Sequence, residues 1–236
     1  MTVERLADGP GPQVIVIDFA QFSEENTLAD TLAAHSYGHR LYLADPVAAA
    51  SPEGRLGALA DAYAEEFDRL GLRPALLIGN CSAAVLALLV AERLREAGRP
   101  PAVALVEPTR VTGEHLRAEL DRVRSGLGAG GPLPAELTEE AVLATLESDL
   151  VAKLRADGLP EEDVELCVGM LVERYRSWFG FLFAALGTPL PTPGFPFTAV
   201  VGLDSDYTGP ATIVRVPVAA SETPRSPLTA AALLAG

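Results

Sequence analysis

The sequence predicts an α/β protein: a mostly parallel sheet flanked by helices, with an all-helical insertion after the strand that ends at Glu107. Three observations carry this. Gln13–Phe19, Ala75–Gly79 and Ala102–Glu107 are continuous apolar runs rather than alternating ones, as expected of strands buried on both faces. Segments of helical spacing lie between them, which is the rhythm of parallel strands joined by crossover helices. Past Pro108 that rhythm stops, and residues 112–187 read as consecutive helices with no strand between them.

In chain order, residues 1–12 are polar and rich in Gly and Pro and read as a loose leader. Gln13–Phe19 is the first strand. Ser23–Asn26 introduces a helix that runs to about His35, and Leu41–Ala44 is a second strand closed by Asp45-Pro46. Leu56, Leu59, Tyr63, Phe67 and Leu70 recur at helical spacing, with charged residues on the other face. The strand Ala75–Gly79 follows Pro74, and a small-residue helix from Ser82 to about Ala97 stops at Gly98. Ala102–Glu107 is the next strand.

In the helical stretch, Gly126–Pro134 and Gly158–Pro160 are breaks, and Leu171, Tyr175, Trp178, Leu182 and Phe183 form an apolar stripe. The Pro-rich segment 189–196 leads back to two strands, Phe197–Leu203 and Ala211–Val218, and a closing helix, Leu228–Leu234. The expected division is a core of residues 13–110 and 188–236 and a helical lid of residues 111–187.

Nearly half of the 236 residues are apolar, enough for a sizeable core, and the formal charge of −14 opposes binding to nucleic acid or an anionic membrane. No apolar run is long enough to span a bilayer and no signal peptide is evident. With two cysteines in unrelated contexts, a reducing, cytoplasmic location is expected. Neither a cofactor nor a metal is called for.

The chemistry concentrates at Gly79-Asn80-Cys81-Ser82-Ala83, where an apolar strand meets a small-residue helix. That is the layout of a nucleophile elbow, with Cys in place of Ser and Ala in place of the second Gly. A thiol there stands at a helix N-terminus, which favours the thiolate. The backbone N–H of Ser82 would be one oxyanion donor, and a second would come from around Ala20 and Gln21.

Glu107 closes the next strand and lies at the carboxyl edge, where open α/β sheets bind ligands. It could orient a histidine or act as a base. Asp204 and Asp206 are alternative acids in a segment that also suits an ordinary turn. Of the three histidines, His35 and His39 flank an early turn and His115 begins the insertion. The loop after the last strand, where an elbow enzyme carries its base, reads Ala219–Pro227 and holds no histidine. Cys167, with no acid or base beside it, reads as packing.

These residues resemble the thioesterases of polyketide and nonribosomal peptide synthesis, within the α/β-hydrolase class. The resemblance runs from Gln13 to the C-terminus. It rests on the elbow, on Gly98 before the next strand, on Leu105-Val106-Glu107-Pro108 where these enzymes place the triad acid, and on the helical lid. Cys for Ser, Glu for Asp, the missing Gly-rich loop after Phe19 and the empty histidine position depart from it. Cys-type members include cyclases of the Dieckmann type.

The resemblance implies an acyl or peptidyl carrier protein bearing a pantetheine-tethered substrate as partner, and release through a Cys81 thioester. Cyclisation is favoured over hydrolysis because no histidine is present to activate water, leaving Glu107, Glu222 or the substrate itself to handle the proton. Two other readings stay open: a catalytically degenerate hydrolase fold that binds a ligand or biosynthetic partner, and a cyclase working without covalent catalysis.

Overall fold

The computed structural model describes residues 3–19, 27–36, 38–47 and 56–234. They divide into two compact units, one containing the sheet and one formed by residues 111–187.

Among the described residues the sheet has seven strands: β1 (Val3–Ala7), β2 (Gln13–Ile17), β3 (Arg40–Ala44), β4 (Leu76–Asn80), β5 (Ala102–Val106), β6 (Thr198–Val201) and β7 (Thr212–Arg215). Their order is β1-β3-β2-β4-β5-β6-β7, parallel throughout except for β1, which pairs antiparallel with β3. The leader expected over residues 1–12 is therefore part strand. Val3–Ala7 shows no apolar run because it lies at the sheet edge with Glu4 and Arg5 exposed.

Alternation along β2 splits the core. Val14 and Val16 face a layer with Ile78, Ala104, Val106 and Val200, covered by α1 (Leu28–Ala34) and α7 (Pro227–Leu234) through Leu28, Leu32, Ala230 and Leu234. On α2 (Leu56–Arg69), Leu56, Ala60, Tyr63 and Phe67 are buried at helical spacing. This helix packs on α3 (Ala84–Glu96), which lies against β4 and β5 and is buried on almost every side.

α1 starts at Leu28, with Thr27 as its cap. Thr27 Oγ1 accepts from Asp30 N at 3.1 Å, and Asp30 Oδ2 accepts from Thr27 N at 2.9 Å. The earlier start expected at Ser23–Asn26 lies outside the described residues. The last two strands are shorter than their apolar runs.

In the helical unit, α4 (Gly113–Gly126), α5 (Glu139–Ala156) and α6 (Glu161–Ala185) follow one another, with Thr112 and Thr138 capping the first two. Leu150 of α5 packs on Val164, Val168 and Val172 of α6. On α6, Trp178 and Leu182 are buried as the stripe requires, but Phe179 and Phe181 are buried in preference to Phe183. Arg124, 6% exposed, pairs with Asp149 at 2.6 Å and donates to the Pro132 carbonyl at 3.2 Å, tying the glycine-rich break to α5. The unit's two ends meet: Gly187 N donates to the Val111 carbonyl at 3.2 Å. No helix among the described residues is long and apolar enough to cross a membrane.

Candidate active site

From β2 the chain moves outward to β3, then returns to the other side of β2 to form β4. Strand order thus reverses between β2 and β4, and the carboxyl ends of strands flanking such a reversal form the crevice where open parallel sheets bind ligands. Asp18 follows β2, and Asn80 and Cys81 lie at the end of β4.

The elbow is built by close approach. A Cβ on Gly79 would lie 2.6 Å from Ala87 Cβ and 2.9 Å from Ala84 Cα, so only glycine lets α3 sit this near β4. Chain direction then reverses within a 3-10 turn, Cys81–Ala83, that runs straight into α3. Cys81 takes φ +49°, a left-handed conformation that an L-residue adopts only when its surroundings enforce it. Its carbonyl accepts from Ala84 N within the turn and from Thr109 N at 3.2 Å. Cys81 is half-buried and Ser82 is 1% exposed.

Thr109 belongs to the turn that carries Glu107, so elbow and acid share a hydrogen bond. Glu107 also takes a left-handed φ, +43°, and is half-buried. Its backbone N–H donates to the Val200 carbonyl at 3.1 Å, and its Oε1 accepts from Gly202 N at 2.5 Å. The acid is thereby fixed to the end of β6.

Gly202 in turn abuts the loop after β7: a Cβ there would lie 2.5 Å from Ala220 N. Asp204 Oδ1 accepts from that same N–H at 2.6 Å. Asp204 thus anchors the loop that would carry a histidine, and both it and Asp206 are exposed. The loop is a 3-10 turn, Ala220–Arg225, held inside by Thr223 and exposing Glu222.

The histidines divide by position. His39 directly precedes β3 and so lies at the amino edge of the parallel strands, about 16 Å of strand away from their carboxyl ends. His35 ends α1 on the same return path, and its backbone N–H donates to the Leu32 carbonyl. His115 lies in the first turn of α4, in the helical unit. Ala20 and Gln21, the expected second oxyanion donors, lie outside the described residues. Cys167, on α6, is a half-buried thiol. No group of three or more metal-ligating side chains occurs among the described residues.

One further group at this edge belongs to no sequence motif. Asp18 is 2% exposed, and its carboxylate accepts from Phe19 N and Asn80 Nδ2, both at 2.9 Å, and from Ala29 N at 3.1 Å. Burial pushes its pKa above the usual carboxylate value, against the pull of these hydrogen bonds. The available signal was an acid directly after the apolar run Val14–Ile17, since a buried Asp needs partners.

No protein-family model matches the chain, and no curated protein matches it in sequence. Solved structures do match in shape. The wild-type Vlm2 thioesterase domain is similar over 97% of this chain and 94% of its own, at 15% identity and a TM-score of 0.56. The NocB thioesterase domain, in covalent complex with a fluorophosphonate nocardicin G analogue, matches over 100% of both chains at 18% identity and a TM-score of 0.56. A marine microorganism esterase matches over 96% of this chain and 95% of its own, at 10% identity and a TM-score of 0.56. At such identities the likeness is one of fold, and with the sheet topology it gives this chain the α/β-hydrolase fold.

Proposed function

We propose that this chain is a thioesterase-like acyl-transfer enzyme. In this reading it takes a polyketide or peptide chain from the pantetheine thiol of a carrier protein onto Cys81 and releases it by cyclisation rather than hydrolysis. The observation that supports it most directly is the backbone of Cys81: a thiol held at φ +49° at the start of α3, beside the strand reversal. The solved thioesterase domains of the same fold add to it.

In the first step the Cys81 thiolate attacks the thioester carbonyl, the bond from carbonyl carbon to the pantetheine sulfur breaks, and the departing carrier thiolate takes the proton that Cys81 lost. The N-terminus of α3 favours the thiolate, and the Ser82 N–H, with Ala20 as its partner, stabilises the transient oxyanion. In the second step a nucleophile within the tethered chain attacks the acyl carbon and Cys81 departs as thiolate.

Glu107 carries the proton from that nucleophile, held in place by Gly202 N. Residues 111–187 serve as the lid. Because Ala219–Pro227 supplies no histidine, water is poorly activated and the internal nucleophile prevails. That same empty position favours a second reading, a degenerate hydrolase fold kept for binding.

Incubation with acyl-pantetheine thioesters, followed by intact-mass measurement and peptide mapping, separates the two. Acyl transfer requires an adduct on Cys81 of the wild type and none in Cys81→Ala. If no acyl thioester labels Cys81, and iodoacetamide alkylates it no faster than Cys167, the acyl-transfer reading fails and the binding reading stands.

A further inference from the structure

We infer that Asp18 and Asn80 form a positioning pair that holds the Cys81 turn in its left-handed conformation. Its functional meaning rests on the proposed role of Cys81 as nucleophile; its structural content does not. One carboxylate joins three pieces of chain: the end of β2 through Phe19 N, the first turn of α1 through Ala29 N, and the Asn80 side chain at 2.9 Å. Asn80 is the residue immediately before Cys81.

A left-handed φ at a non-glycine residue persists only where both sides of it are held. On the C-terminal side, the Cys81 carbonyl is bound by Ala84 N and Thr109 N. The N-terminal side is held by Asn80. Among the described residues its Oδ1 is buried with no hydrogen-bond partner, and its Nδ2 donates to Asp18, so the bond to Asp18 is what fixes the amide. The burial of Asp18 makes that bond stronger than a surface one, because no water competes for the carboxylate. Asp18 thus supports the nucleophile through Asn80 and acts as a positioning residue.

Two full-length variants test this. In Asn80→Ala, hydrogen exchange at the amides of Ser82–Val85 should quicken about tenfold while those of Ile15–Ile17 stay unchanged, the scale expected for losing one hydrogen bond to a carboxylate. The ratio of Cys81 to Cys167 alkylation by iodoacetamide should fall by a similar factor. Asn80→Asp supplies a readout that simple packing would not produce. Two carboxyls in contact share one proton at low pH and repel when both ionise.

Among the described residues, the other charge acting on Asp18 is Asp30, on α1, which reinforces that repulsion, and β4 presents only Asn80 to it. Asn80→Asp should therefore match the wild type near about pH 5 and approach Asn80→Ala above about pH 8. Elbow exchange within twofold of wild type in Asn80→Ala, equal changes at both cysteines, or a flat pH profile in Asn80→Asp would overturn the inference. Should wild-type Cys81 prove no more reactive than Cys167, the nucleophile reading falls, while the exchange measurements still decide the pair.

Discussion

Adding one methyl group at Gly79 and one at Gly169 should move stability in opposite directions. At Gly79 the new Cβ would lie 2.6 Å from Ala87 Cβ, 2.9 Å from Ala84 Cα and 3.2 Å from the Ala83 carbonyl oxygen. Carbon atoms prefer about 3.5–4.0 Å, so α3 must retreat from β4 by roughly 1 Å. It has nowhere to go, since Ala84–Leu88, Val90, Ala91 and Leu94 are all buried. Overpacking costs about 1–3 kcal/mol, and two carbon contacts at once, one of them backbone, place Gly79→Ala near the upper end.

At roughly 2–4 °C per kcal/mol, the sheet unit should melt about 6–12 °C lower. Gly169 lies in mid-α6 with nothing within 4 Å of the new Cβ, so Ala there brings only its helix propensity, about 1 kcal/mol of stabilisation. Calorimetric melts of both variants, with iodoacetamide labelling of Cys81, provide the assay. Labelling should fall in Gly79→Ala and be unaffected in Gly169→Ala. If Gly79→Ala melts within a degree of wild type, the close approach is not what requires glycine at the elbow.

At ordinary positions Ala is more stabilising than Gly, but at Cys81 the left-handed backbone should reverse the order, with Cys81→Gly melting above Cys81→Ala by the equivalent of about 1 kcal/mol. Equal melting, or the usual order, would count against strain. Removing Arg124 should loosen the helical unit by about 3 kcal/mol, because Asp149 would keep a largely buried charge without its partner; faster exchange across α4 and α5 than across the sheet would register it.

Asp18 sets a pH dependence. Its pKa is raised in the folded state, so between the ordinary value of 3.8 and that raised value the folded chain binds more protons than the unfolded one. Its contribution to stability is therefore largest at low pH and is lost as pH rises through the folded pKa. The melting temperature of wild type relative to Asp18→Asn should fall as pH rises from about 4, and a relative rise would contradict the burial of the charge.

Strands buried on both faces were legible because burial leaves them no polar position to alternate: β2, β4 and β5 follow directly from their apolar runs. β1 was not, because an edge strand with exposed Glu4 and Arg5 resembles a polar leader. The elbow could be read from Gly79 and the small residues after it, since steric crowding has a compositional signature. The Asp18–Asn80 contact had none, because those residues lie 62 positions apart and meet only once β2 and β4 pair. Likewise the bond from Thr109 to Cys81 joins two loops whose proximity is a property of the sheet alone.

The meeting of Val111 and Gly187 has an evolutionary consequence. Because residues 111–187 begin and end at one hydrogen bond, they enter the chain between β5 and β6 as a short connection would, and the register Ala104↔Thr198 need not know how many residues lie between. Closing a longer or shorter excursion changes the free energy only logarithmically with length. The helical segment can be traded between lineages, enlarged or trimmed without renegotiating the strand pairing. A change of length in that segment is thus uncoupled from the pairing that builds the sheet.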